Sequence, residues 1–129
     1  MSTQAPPTQS ITASFRDPAG SLFHYRGRVL RIVNSLGAAD LEAFLASPSG
    51  RRLMASGAVV PTRTLLPDEC RELLADPAVR QLYDARGGQT ILEHERVDFP
   101  SFPYEWTAEM LHAAGALTQI GRASCRERV

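Results

Sequence analysis

Glu93-His94-Glu95 sets an imidazole between two carboxylates, the residue types that move protons near neutral pH. Chemistry would need the three groups to converge. If the run is a strand, His94 points to one face while Glu93 and Glu95 point to the other, so a structural or edge-strand role is favoured. Phe102-Pro103-Tyr104-Glu105-Trp106 is the second candidate, a stiff aromatic wall with a carboxylate set into it. Glu105 could act as an acid, cap a turn or pair with Arg16, and packing of the aromatics at a strand-to-helix corner is the plainer reading. His94 and Glu105 are therefore the candidate catalytic residues, and neither has a partner supplied by its own spacing. No catalytic site is expected to be complete in this chain.

The remaining reactive groups point to less. His24 and His112 lie far from His94, and no His-x-x-x-His spacing offers a metal site. Cys70 lacks a nearby cationic cluster and reads as an inert thiol. Asp17-Pro18-Ala19-Gly20 is explained by turn chemistry, with Pro presetting φ and Gly tolerating positive φ, and Asp17 would repel a phosphate.

The last ten residues, Ile120–Val129, resemble the in-frame translation of a sequencing-library adapter. They are set aside from fold reasoning as a processing scar. The expectation is that natural sequence runs from Met1 to Gln119 and that the chain is a fragment of a longer protein. Without Arg122, Arg126, Arg128 and Glu127, the 14 basic and 14 acidic residues become 11 and 13, a net charge of −2. Cys125 leaves with them, so a Cys pair for a disulfide or zinc site disappears.

All the cations are arginine, as a GC-rich bacterial genome would encode, and the near-neutral balance gives no electrostatic footprint for nucleic acid. No apolar run approaches the roughly 20 residues that span a bilayer, and no signal-type start is present, so a cytoplasmic location and no membrane partner are expected.

Positioning of these groups falls to an α+β arrangement. Residues 1–12 read as a flexible Ser/Thr/Gln/Pro-rich leader, and 13–119 as an N-terminal accessory domain. Alternating apolar residues predict strands over Ser10–Arg16, Ser21–Tyr25 and Arg28–Val33, an antiparallel β-meander with a reversal at Arg26-Gly27. Leu41, Phe44 and Leu45 predict a helix over Ala39–Ala46, which Ser47–Gly50 ends; Arg51–Ser56 adds a helical turn and Ala58–Thr62 is extended. Short helices are expected over Glu69–Leu74 and Pro77–Tyr83, then a strand over Thr90–Val97 after Gly87-Gly88. Thr107 should cap a final helix with Met110, Leu111, Ala114 and Leu117 on one face, incomplete for want of a partner.

Phe15-Arg16-Asp17-Pro18-Ala19-Gly20, Glu93-His94-Glu95 and Phe102–Trp106 occur in the order of a familiar pattern. The chain resembles the N-terminal region of bacterial class I S-adenosylmethionine-dependent methyltransferase-like proteins, including nodulation-protein-like members. There a Phe-Arg-Asp-Pro-x-Gly turn opens the chain, a His-Glu strand follows, and a Tyr-Pro-Tyr-Glu-Trp segment leads into a helix. Phe102 stands where the family often has Tyr. The likeness covers Ala13–Gln119 in spaced blocks and is poor between Pro61 and Thr90.

This resemblance implies a downstream methyltransferase domain as partner and S-adenosylmethionine as its cofactor, with no cofactor-binding residue in the fragment. Such a cofactor needs a strand, a glycine turn and a helix N-terminus, a context that Gly20, Gly27, Gly87 and Gly88 lack. The leading reading is a truncated accessory region, transferase by family and inactive alone. A nucleotide-binding or interaction lobe like the small lobe of kinases is the alternative, without the usual lobe lysine since the chain has none. A small independent enzyme built on His94 and Glu105 is the third.

Overall fold

The computed structural model describes residues 11–99 and 101–126, the last seven as helical backbone only. Its centre is a four-stranded antiparallel sheet in the order β1-β2-β4-β3. The strands are β1 (Gly20–Tyr25), β2 (Arg28–Asn34), β3 (Thr62–Thr64) and β4 (Gly88–His94). Helices α1 (Ala38–Ala46) and α2 (Pro48–Ala55) follow β2, α3 (Pro67–Leu74) and α4 (Pro77–Ala85) join β3 to β4, and α5 (Ala108–Arg126) ends the described chain. This is the expected α+β class.

Local chemistry explains the joints. Arg26 and Gly27 both have positive φ, as a tight two-residue hairpin turn between right-twisted strands requires. β1 and β2 then pair from Tyr25↔Arg28 to Gly20↔Val33. Gly20 is needed for space rather than for φ: a Cβ there would overlap the Ile32 carbonyl on the neighbouring strand. Ser47 does more than end α1, because its hydroxyl accepts from the Gly50 amide at 3.0 Å and Pro48 opens α2. Asp76 caps α4 in the same way, through the Ala78 amide.

Two predicted strands come out shorter. The run Ser10–Arg16 contributes one bridge, Ala13↔Phe23, and Phe15 is exposed; Ser10 lies outside the described residues. The Ser14 amide donates to the Leu22 carbonyl at 2.9 Å, the Ser14 hydroxyl accepts from the Leu22 amide, and the Ser14 carbonyl accepts from the Ser21 hydroxyl. This segment is thus pinned to β1 around one residue and not by an extended ladder. The strand predicted to Val97 stops at His94; beyond it the Glu95 amide donates to the Pro61 carbonyl and the chain turns away.

Period-two alternation gives the sheet two unlike faces. Phe23, Leu30, Ile32 and Ile91 point to one side, where Leu73, Val79 and Leu65 bury them beneath α3 and α4. Each such side chain contributes about 1.5–3 kcal/mol by leaving water. On the other side only Val33 and Leu92 are sealed, by Ala38, Leu41 and Leu45 of α1. The rest of that face, around Leu22, Val29, Arg31, Thr62 and His94, forms the floor of an open trough.

Candidate functional site

The trough has a volume of about 440 Å³, with Leu22, Val29, Val59, Val60 and Val97 as its apolar walls. Arg31, Thr62 and His94 stand on its floor, one from each of β2, β3 and β4, with His24 and Glu95 at its rim. The register accounts for this assembly: Thr62 pairs with His94, and His94 with Val29. Arg31 follows Val29 by two residues and so shares its face.

His94 is half-buried, and its Nδ1 lies 2.7 Å from the Thr62 hydroxyl oxygen. That hydroxyl has one proton, which it donates to the Val60 carbonyl at 2.9 Å. It therefore accepts from Nδ1–H, and the imidazole keeps its bare lone pair on Nε2. Burial, then the charge of Arg31, hold the His94 pKa below the ordinary 6.5, so the ring is neutral at pH 7. Arg31 is anchored at its tip by Asp17, 3.1 Å away. Among the described residues, Arg31 Nε and His94 Nε2 are the buried side-chain polar atoms with no hydrogen-bond partner.

Glu93 and His94 occupy opposite faces. Glu93 bridges Arg28 at 2.5 Å and Arg63 at 2.8 Å, and Arg63 grips Glu69 with two hydrogen bonds of 2.9 Å. Hydrogen bonding from Arg28, and next from Arg63, keeps the Glu93 carboxyl below its usual range. Glu69, bonded first to Arg63 and also to the Leu66 amide, falls to about 2. This ladder ties β2, β3, β4 and α3 together. β4 lies between β2 and β3, so the edge-strand expectation for Glu93-His94-Glu95 is corrected to an interior one.

Glu105 lines neither the trough nor the ladder. Its carboxylate accepts from the Phe102 amide at 2.9 Å and closes the short 3-10 turn Pro103–Glu105. Phe102 and Tyr104 stack with ring centroids 5.7 Å apart, and the Trp106 indole N–H donates to Ser101. Core packing does not hold Phe102 or Tyr104, which are 51% and 83% exposed, while Trp106 is half-buried. The segment is held by its own short-range bonds and leaves the Phe102 and Tyr104 rings largely to solvent. Pro100 lies outside the described residues.

Cys70 is partly buried, and desolvation pushes its thiol up. Among the described residues no group of three or more His, Cys, Asp or Glu could hold a metal, and no helix is long and apolar enough to cross a membrane. A strand–glycine–helix turn does occur, from β2 through Gly37 into α1. The space beside Gly37 is filled by Ala19 and Val33, and the amides of Leu36 and Gly37 are taken by Asn34. With no parallel strands in the sheet, these residues do not fit S-adenosylmethionine.

Sequence reading reached His94 but not Arg31, Thr62 or the Arg28–Glu93–Arg63–Glu69 ladder. The available signal was Arg31 between Leu30 and Ile32, a charge placed by alternation on the face opposite the core. Thr62 and Arg63 carried none, because only the β3–β4 register makes them neighbours of His94 and Glu93.

No family model matches the chain, and no solved structure does. The chain is similar to the nodulation protein NoeA of Rhizobium meliloti (strain 1021), with 32% identity over 110 residues. The aligned region is 85% of this chain and 20% of NoeA, so the chain spans about a fifth of that relative's length.

Proposed function

We propose that this chain is an N-terminal accessory region of a larger methyltransferase-like protein, without a cofactor site and not catalytic by itself. The observation that carries the accessory-region part is the NoeA alignment, which takes in most of this chain and a fifth of the relative. The methyltransferase-like part rests on the resemblance of Phe15–Gly20, Glu93–Glu95 and Phe102–Trp106 alone. The filled Gly37 turn and the antiparallel sheet agree with a region that leaves cofactor binding to another domain. Unpaired apolar surface agrees with a docking role: Met110, Leu111 and Leu117 of α5 and the rings of Phe99 and Tyr104 are exposed. The partner on this reading is the downstream methyltransferase domain, and the cofactor of the whole protein is S-adenosylmethionine.

Isothermal titration of the chain with S-adenosylmethionine tests the first half, with no heat of binding expected. Micromolar affinity would overturn it. Resequencing the gene across Gln119 tests the second. A strand–glycine-turn–helix domain should follow in frame, and a natural stop codon immediately after Gln119 would refute the accessory reading.

A further inference from the structure

We propose that the trough on the uncovered half of the sheet binds a neutral ligand with an apolar body and a hydroxyl group. This goes beyond the accessory reading and does not depend on it. The volume of about 440 Å³ falls within the roughly 300–1,000 Å³ typical of small-molecule sites, and such sites pair apolar walls with a few convergent polar groups. Here the walls are aliphatic, and the polar groups come from three adjacent strands held in fixed register.

The floor specifies the chemistry. Arg31 Nε–H is a donor without an acceptor, and His94 Nε2 is an acceptor without a donor. Buried polar atoms are nearly always paired, so two orphans on one floor call for a shared partner. One hydroxyl oxygen can accept from Arg31 and donate to His94 at once. Both atoms are sealed from solvent in the ligand-free chain, so binding requires the Arg31 side chain, one-third exposed and held at its tip by Asp17, to uncover them.

Charge excludes the alternatives. The Arg31 cation is already matched by Asp17, His94 is neutral, and Glu95 stands at the rim. A carboxylate would meet Glu95 and an imidazole with no proton to give. An ammonium would meet the Arg31 guanidinium and find one lone pair for its three donors.

The full chain is titrated with 1-hexanol, hexanoate and hexylammonium at pH 7.5, following the backbone amides of Leu22, Val29 and Val60 and the His94 ring nitrogens by NMR. Hexanol is expected to saturate these shifts and to move the Nε2 resonance. Each charged analogue should bind at least about tenfold more weakly, the worth of one lost hydrogen bond with an unpaired group left behind. Val60→Trp fills the trough from an exposed loop position, so the fold is kept and hexanol binding should be lost; His94→Phe should weaken it about tenfold. Equal affinity for the three probes, tighter binding of either ion, no saturable shift with hexanol, or unchanged affinity in Val60→Trp would each overturn the proposal. Should His94→Phe fail to fold, the probe comparison and Val60→Trp still decide it.

Discussion

A stop codon in place of Phe99 would remove the aromatic segment and all of α5, yet should hardly change stability. The two buried clusters are built from β1, β2, β4, α1, α3, α4 and the Leu65 approach to α3, and neither includes a residue beyond Leu92. Met110 and Leu111 are 47% and 48% exposed, so little apolar area is returned to water when they go. Surface changes of this kind lie within about 0.5 kcal/mol. For a domain near 100 residues that is a shift of no more than about 4 °C in Tm. Ile32→Ala, in the centre of β2 and fully buried, should cost about 2–5 kcal/mol by contrast.

The assay is urea unfolding of both chains, monitored by Tyr25 of β1 and Tyr83 of α4, which both chains keep, and by far-ultraviolet circular dichroism. The m-value should also stay the same, since m follows the surface exposed cooperatively. A single amphipathic helix of 19 residues without a packed partner is marginal in water, so the amides of 109–119 should exchange hydrogen far faster than those of β2. A loss above about 1 kcal/mol, a reduced m-value, or α5 protection equal to that of β2 would show that α5 belongs to the cooperative core. Any of these would refute the reasoning.

Glu93→Gln removes the charge shared by Arg28 and Arg63 and should cost about 1 kcal/mol, limited by solvent screening of the half-exposed arginines. Because the Glu93 carboxyl is held below its ordinary 4.5, its contribution is complete above that pH and is lost as pH falls through the folded value. The mutant's stability should therefore fall less steeply in acid, and an unchanged slope would count against the ladder. His94 should titrate below 6.5 by NMR. Its neutral ring stabilises the fold fully above 6.5, and this is lost as pH drops through the folded pKa; an inflection at or above 6.5 would contradict the burial and the Arg31 contact. Gly20→Ala forces a Cβ onto the Ile32 carbonyl and should cost more than about 2 kcal/mol in denaturant unfolding, and a neutral effect would mean β1 and β2 are spaced more widely than described.

Much of the architecture was legible along the chain because it rests on local rules. The Arg26-Gly27 reversal, Pro77 at the start of α4 and the Gly87-Gly88 break each act within a few residues, whereas Pro48, read as part of a helix end, opens α2. Alternation likewise placed Leu30 and Ile32 on one face of a strand and Arg31 on the other. It also separated Glu93 from His94, which removed the most tempting constellation before any contact was known.

Tertiary structure decided what those faces meet. Neither the insertion of β4 between β2 and β3 nor the pairing of Thr62 with His94 has a sequence signal, since hydrogen-bond register between distant strands is a non-local choice. The same choice drew four charges into one ladder and left Arg31 Nε and His94 Nε2 unpaired on a half-covered sheet. Composition and periodicity determined that this chain would fold as strands and short helices with an apolar stripe to spare. Only packing determined that the stripe stays exposed and that the open face holds a donor and an acceptor, because burial depends on which surfaces find a partner.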